Sequence, residues 1–268
     1  MFPSISIFNA ELSTYGFCAI IGLFAAGILA VNYAKRKKYD ENNLLIALLI
    51  GGGASLIGSH LLYAIVNYKG ILLVLTNLEK IDSLGFLFQC LAEIFGGSVF
   101  YGGMLSCMLA YYITLKKLKM QTDFGMDLIG AVAPLFHGFC RIGCFLGGCC
   151  YGIESSFGFV MHDSLAPDAN GVTRFPVQLL EVALNFALFA LLFVLLCKGK
   201  FKGNITKLYF ILYGVIRFCD EFLRGDVYRG FWGPFSTSQW IALFTIIGSV
   251  VFWIIRVKKE KKQVEQPA

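Results

Sequence analysis

Seven stretches of this chain stay apolar for longer than an ordinary soluble core element, and they settle the fold class first. They run roughly Leu12–Ala34, Leu44–Val66, Leu84–Leu115, Met126–Leu146, Val177–Cys197, Ile205–Phe222 and Ser238–Val257. A helix needs about 17–25 apolar residues to cross a hydrocarbon core, and six of the runs have about that length. Charged residues make up only 15% of the chain, against roughly 25% in soluble domains, too few to build a water-compatible surface. With 57% hydrophobic residues and a mean hydropathy of +0.70, a soluble reading is excluded. The expectation is an all-α fold, a polytopic integral membrane protein with about seven transmembrane helices. The first fifteen residues lack the basic start, apolar stretch and cleavage site of a signal peptide, so the first helix is expected to stay in the membrane.

The third run is the exception in length. It is interrupted by Gly96, Gly97, Gly102 and Gly103. This predicts a short segment at or dipping into one face, then a true span from about Tyr101. Irregular backbone at that depth is tolerated only where protein or a cavity surrounds it, while glycines serve close helix packing equally well.

Basic residues orient the chain. Clusters follow the first, third, fifth and seventh runs: Lys35 to Lys38, Lys116 with Lys117 and Lys119, Lys198 with Lys200 and Lys202, and Arg256 through Lys262. With Lys207 these hold 16 of the 23 Lys and Arg residues, so the net charge of +6 is a topology signal, and no nucleic-acid partner is expected. The positive-inside rule then places the N-terminus outside and the C-terminus in the cytoplasm. Residues 1–257 read as a single transmembrane domain with an outer loop at about 153–175, and 258–268 as a cytoplasmic tail.

Against that frame five arginines stand out. Arg141, Arg174, Arg217, Arg224 and Arg229 fall on or near the outer face, where free cations are disfavoured. An arginine within the membrane costs at least about 2.5–3.5 kcal/mol, so it needs a partner or a ligand. Arg217 and Glu221 are four apart, on one helical face, with Arg224 three further on; Glu93 and Glu181 lie in other apolar runs. Two readings follow: an ion-pair network tying helices together, or a cationic pocket whose guanidinium forks match an anionic lipid headgroup. Convergence of the arginines on one face favours the pocket.

The densest constellation lies between His137 and Gly152, with four cysteines, one histidine, one arginine and five glycines in sixteen residues. Its thiols do not have the paired CxxC spacing of a structural zinc site, and no metal is expected. Cys149 and Cys150 are a poor disulfide with each other because disulfide geometry is specific; a bond to another outer cysteine, or free thiols packed between helices, remain open. The glycines allow backbone to approach a ligand closely.

These residues carry a resemblance. Arg141-Ile-Gly143-Cys144-Phe-Leu-Gly-Gly148-Cys149-Cys150-Tyr151-Gly152 resembles the signature of the prolipoprotein diacylglyceryl transferase family, G-R-x-G-N-F-x-N-G-E-x-x-G. Four further stretches resemble family segments in the same order: Tyr15-Gly16; Gly96-Gly97 through Tyr101-Gly102-Gly103; Pro176-Val-Gln178-Leu-Leu-Glu181; and Tyr213-Gly214 through Arg217, Glu221 and Arg224.

The resemblance implies an enzyme of the bacterial plasma (inner) membrane. It would move a diacylglyceryl group from phosphatidylglycerol to the lipobox cysteine thiol of a prolipoprotein signal peptide, making a thioether and releasing glycerol phosphate, with no metal or organic cofactor. Arg141 and Arg217 would hold the phosphate and stabilise charge on the leaving oxygens. Glu221 would orient Arg217. Tyr101 would act at the reacting centre, and Tyr15, Gly102, Gly103, Gly143, Cys144, Cys149, Gly152, Gln178, Glu181 and Arg224 would bind substrate. This chain departs from the family pattern at three positions: Tyr101 replaces a histidine, Cys144 an asparagine and Cys149 an acid. Tyrosine, with an ordinary pKa of about 10, is a poorer base than histidine at neutral pH. His137 and His60 are the other candidates for that role. The same scaffold serving a different acceptor, or a non-enzymatic protein that binds anionic lipid, are the alternatives.

Overall fold

The computed structural model describes residues 1–7, 10–77, 83–97, 99–226 and 230–265; Arg229 and the last three residues of the tail lie outside them. The apolar runs fold as helices: α1 Thr14–Arg36, α2 Glu41–Val66, α3 Tyr68–Thr76, α4 Leu84–Phe95, α5 Phe100–Lys117, α6 Thr122–Gly147, α7 Val177–Cys197, α8 Ile205–Asp220 and α9 Thr237–Glu265. Three antiparallel pairs accompany them: β1 Ser4–Ile7 with β2 Ala10–Ser13, β3 Glu154–Val160 with β4 Thr173–Arg174, and β5 Phe231–Trp232 with β6 Phe235–Ser236.

Among the described residues five helices are long and apolar enough to cross a membrane: α1, α2, α6, α7 and α9 as far as Lys259. The 18-residue α5 and the 16-residue α8 are not among them, so five such helices stand where the apolar runs suggest about seven spans. The long third run divides as its glycines predict, with α4 ending at Phe95 and α5 beginning at Phe100. Side chains such as Phe24, Leu49 and Phe252 are at least 63% exposed. A water-soluble helix would bury such residues, whereas lipid accepts them.

The chain forms two compact units, residues 31–125 and residues 1–30 with 126–268. In the first, α2 packs along α5 through small residues. A Cβ on Gly102 would run into the Gly58 carbonyl and Leu62, and one on Gly103 into Ser55, so these two glycines serve helix approach. Ser106 Oγ donates to the Ala54 carbonyl at 2.9 Å across the same contact. The Nδ1 of His60 lies 2.7 Å from the Phe95 carbonyl oxygen and 2.8 Å from that of Gly97, at the C-terminal end of α4. An imidazole engaged there answers helix-end carbonyls that would otherwise lack donors.

In the second unit α6 is the central element. Gly130 lets it approach Thr206 of α8, Gly138 lets it approach Phe186 of α7, and Gly143 sits against Tyr15 and Cys18 of α1. The start of α8 has no side-chain cap of its own. Asp127 of α6 supplies it instead, accepting from the backbone N–H groups of Gly203 and, at 2.9 Å, Ile205. Two otherwise orphaned donors are thereby satisfied by a neighbouring helix.

Candidate active site

Three helices of the second unit each turn a polar stripe inward. On α6 it is His137, Arg141 and Cys144, at successive spacings of four and three. On α7 it is Gln178, Glu181 and Asn185, and on α8 Tyr213, Arg217 and Asp220, with Glu221 in the turn that follows. Spacings of three and four put each set on one helical face. All of these except Arg141 are buried by whole-residue exposure, and the side chain of Arg141 itself is only 12% exposed.

The stripes meet at Glu181. One of its carboxylate oxygens takes Nε of Arg141, and the other lies 3.7 Å from Nη1 of Arg217. Arg217 continues the chain through Nη2, 2.7 Å from Glu221, the pair four apart on the helix. Nη2 also donates to Ser238 Oγ of α9 at 3.2 Å. The result is an alternating series Arg141, Glu181, Arg217, Glu221 contributed by three consecutive helices. The arginines converge on one carboxylate and are tied by acids, as the ion-pair reading expects. Removing one partner from such a buried set leaves an uncompensated charge, which costs about 3–5 kcal/mol.

Arg224 stands just beyond α8 and forms a two-pronged pair with Asp226, Nε to Oδ1 at 2.9 Å and Nη2 to Oδ2 at 2.6 Å. Burial works against its charge, but the hydrogen-bonded pair with Asp226 outweighs that and holds its pKa above the ordinary arginine value. Arg174 does a different job. Its guanidinium donates to the carbonyls of Ala169, Asp168 and Gly152, and its Cζ lies 4.4 Å from the Tyr151 ring centroid. Tyr151 in turn donates to Asp168. Arg174 is thus a clasp for the 153–175 loop.

The glycine-rich end of α6 folds back on itself. Gly148 and Cys150 both take left-handed backbone, at φ 72° and 55°, and Cys149 N–H returns to the Cys144 carbonyl at 3.1 Å. A non-glycine residue rarely adopts that conformation, so the turn at Cys150 is held by its surroundings. Gln178 Nε2 donates to the Cys149 carbonyl at 2.9 Å, fastening the turn to α7. Gly152 pairs with Arg224 as a β-bridge, with no room for a Cβ beneath the Phe175 carbonyl. The sulfurs of Cys144, Cys149 and Cys150 all lie within 4.8 Å of one another. Arg141 Nη1 donates to Cys144 Sγ at 3.7 Å. Hydrogen bonds from Cys144 and Cys149 hold the Cys150 thiol below its ordinary range against the effect of burial, with Arg141 and Arg224 adding to the downward shift.

The structure thus gathers Arg141, Cys144, Cys149, Gly152, Gln178, Glu181, Arg217, Glu221 and Arg224 into one unit. Gly143 is at the α6–α1 contact there, where it meets Tyr15, a 40% exposed residue. Tyr101, Gly102 and Gly103 belong to the other unit, where Tyr101 is half-buried in the first turn of α5. Of the histidines considered as bases, His60 ends α4 as described, and His137 Nε2 sits 3.4 Å from the Tyr213 hydroxyl. Glu93 is exposed on α4. Sequence reasoning passed over Asp220, Asp226, Asn185 and Ser238. Asp226 had a readable signal, an acid two residues after an arginine. Ser238 had none, because its partner is remote in sequence.

Comparison with known proteins gives the following matches. The family model for prolipoprotein diacylglyceryl transferase matches residues 4–255. A phosphatidylglycerol–prolipoprotein diacylglyceryl transferase of Clostridium tetani is 34% identical over 256 residues, covering 95% of this chain and 97% of its own. A second so named, from Clostridium perfringens, is 33% identical over 260 residues, with 96% of each chain covered. One from Finegoldia magna is 29% identical over 261 residues, covering 97% of this chain and 95% of its own.

Proposed function

Because the chain belongs to the prolipoprotein diacylglyceryl transferase family, we infer that it transfers the diacylglyceryl group of phosphatidylglycerol to a prolipoprotein cysteine thiol. The observation that carries the reading is the convergence of Arg141 and Arg217 from two helices on one carboxylate, Glu181. Guanidinium groups so placed suit a phosphodiester, whose two unbridged oxygens accept forked hydrogen bonds. As the bond between glycerol carbon and phosphate oxygen breaks, charge grows on the leaving phosphate. Arginines already fixed by Glu181 and Glu221 stabilise that charge without reorganising. The acceptor sulfur, once deprotonated, attacks the same carbon and forms the thioether. Gln178 and Glu181 shape the headgroup site, and Arg224 and the Cys144–Gly152 turn border it.

In this proposal α5 and α8 also span, giving seven crossings. At 1.5 Å per residue they are about 27 and 24 Å long, near the hydrocarbon thickness of about 30 Å. Basic clusters at the ends of α1 and α5, after α7 and in the last part of α9 support an N-terminus and active site at the outer face and a C-terminus in the cytoplasm. The acceptor is the lipobox cysteine of a signal peptide, presented at the outer face of a bacterial plasma membrane.

The test is complementation. A bacterium depleted of its own transferase receives this chain or its Arg141→Ala variant, and a reporter lipoprotein is followed by mass. A diacylglyceryl addition present with the native chain and absent with the variant is the expected result. A well-inserted native chain that adds nothing to the reporter would overturn the assignment.

A further inference from the structure

The transfer reaction needs a group that takes the acceptor's proton, because the thiolate is the nucleophile. Most titratable side chains of the site are occupied. Glu181 and Glu221 are engaged by arginines, Asp226 by Arg224, and His137 faces the Tyr213 hydroxyl. Asp220 is different. It closes the inward stripe of α8, three residues after Arg217 and seven after Tyr213, and is only 3% exposed. Among the described residues its Oδ2 has no hydrogen-bond partner, and none of the site's ion pairs includes it. A carboxylate is costly to bury without a partner, so its retention here asks for a function.

We propose that Asp220 is the general base that takes the proton of the acceptor thiol. The charges that act on it are Arg141 of α6, Glu181 of α7, and Arg217 and Arg224 of its own helix and the turn beyond. The facing part of α9 brings Ser238 and Gln239, which do not titrate. Asp220 therefore stands in the same field as the two arginines assigned to the phosphate. Three residues at 1.5 Å each put it about 4.5 Å further along the helix axis than Arg217. In the topology proposed above that is towards the outer face, from which the acceptor arrives. An in-line displacement needs such an offset, because the sulfur must enter opposite the leaving oxygen. The charge count agrees. Arg141, Arg217 and Arg224 are matched by Glu181, Glu221 and Asp226, which leaves Asp220 as an acid with no cation of its own. With the phosphodiester bound the set carries two excess negative charges, and the thiol's proton on Asp220 removes one of them.

This inference rests on the transfer reaction proposed above, and the step balances with donor and acceptor alone. The sulfur–hydrogen bond breaks and its proton joins the Asp220 carboxylate. The thiolate attacks the glycerol carbon. One carbon–sulfur bond forms, one carbon–oxygen bond breaks, and glycerol phosphate leaves with the electron pair towards Arg141 and Arg217. The departing phosphate has gained a charge and carries off the proton, which returns Asp220 to the carboxylate for the next turnover.

The experiment uses the full chain in detergent with phosphatidylglycerol and two acceptor peptides, one carrying cysteine and one selenocysteine. Asp220→Asn keeps the side chain's shape and removes the base, so kcat for the cysteine peptide at neutral pH should fall by about 10²–10⁴, measured on equal amounts of folded protein. The loss should depend on pH. A base works as the carboxylate, so the native rate falls on the acid side. The variant must wait for the thiol to ionise unaided, so its rate should climb about tenfold per pH unit towards about 8.5. A selenocysteine peptide, whose selenol is already ionised at neutral pH, should bring the variant to within about tenfold of the native chain. The same peptide should abolish the acid-side fall of the unmutated chain, a readout that needs no variant. Three results overturn the base: an Asp220→Asn rate on cysteine within about tenfold of native at neutral pH, a deficit that neither pH nor selenocysteine relieves, or a native acid-side fall that selenocysteine leaves unchanged. A native chain that transfers to neither peptide overturns the transfer reaction itself, and the base with it.

Discussion

Replacing Glu181 by glutamine keeps the side chain's shape and removes the charge shared by two arginines. The consequences are unequal. Arg217 retains Glu221 at 2.7 Å, whereas among the described residues Arg141 has its ion pair with Glu181. At 3.7 Å and an effective dielectric of about 20, the Arg217–Glu181 attraction alone is about 4.5 kcal/mol before desolvation is counted. Stranding a buried guanidinium places the loss for Glu181→Gln at about 3–5 kcal/mol. Arg141→Gln should cost less, about 1–3 kcal/mol, because Glu181 then keeps Arg217. The double variant Arg141→Gln/Glu181→Gln should regain about 2 kcal/mol relative to Glu181→Gln, since no guanidinium is left stranded. Activity should not follow that recovery. Loss of one preorganised donor to the leaving phosphate lowers turnover by about 10²–10³, and the double variant should stay at that floor. The assay pairs reversible denaturation in mixed micelles with transfer of diacylglyceryl to an acceptor peptide, measured on equal amounts of folded protein. A double variant no more stable than Glu181→Gln would refute the stranded-charge account. One that recovered transfer to within about tenfold of the native chain would refute the phosphate-holding role of Arg141.

Two further outcomes test the surroundings of the site. At Gly143 a Cβ would come 2.9 Å from Tyr15 Cα and 3.1 Å from Cys18 Cβ, so Gly143→Ala should overpack the α1–α6 contact and lower stability by about 1–3 kcal/mol, read as a drop in unfolding midpoint. A variant as stable as the native chain would mean α1 can give way there. Arg174→Lys loses the fork that joins three carbonyls, so protease should cut within residues 153–175 several times faster while the helices stay intact; unchanged cleavage would show that another contact holds the loop.

What the sequence made legible was whatever depends on local periodicity. Arg217 and Glu221 announce their pairing by a spacing of four, and the break between α4 and α5 follows from glycines in an over-long run. The Arg141–Glu181 pair joins residues forty apart in sequence, on two different helices, so no spacing rule could assign it, although both residues were recognisable as costly charges in apolar runs. The cysteine turn was visible as composition but not as geometry. Its spacing gives no sign that the three sulfurs lie together; left-handed backbone at Gly148 and Cys150 brings them there. Gly102 and Gly103 were legible as a motif, but not the packing role that their Cβ positions against α2 reveal.

The alternating charges from α6 to α8 also bear on how the protein is made. Chain order places each new charge one element after the charge it satisfies: Arg141 on α6, Glu181 on α7, Arg217 on α8 and Glu221 in the turn behind it. A helix carrying an uncompensated arginine partitions into lipid at a cost of at least about 2.5–3.5 kcal/mol. On its own in lipid, α6 would bear that cost until α7 supplied its acid. α7 then presents a carboxylate that α8 completes. The order of these charges along the chain is thus the order in which each one's cost in lipid is offset.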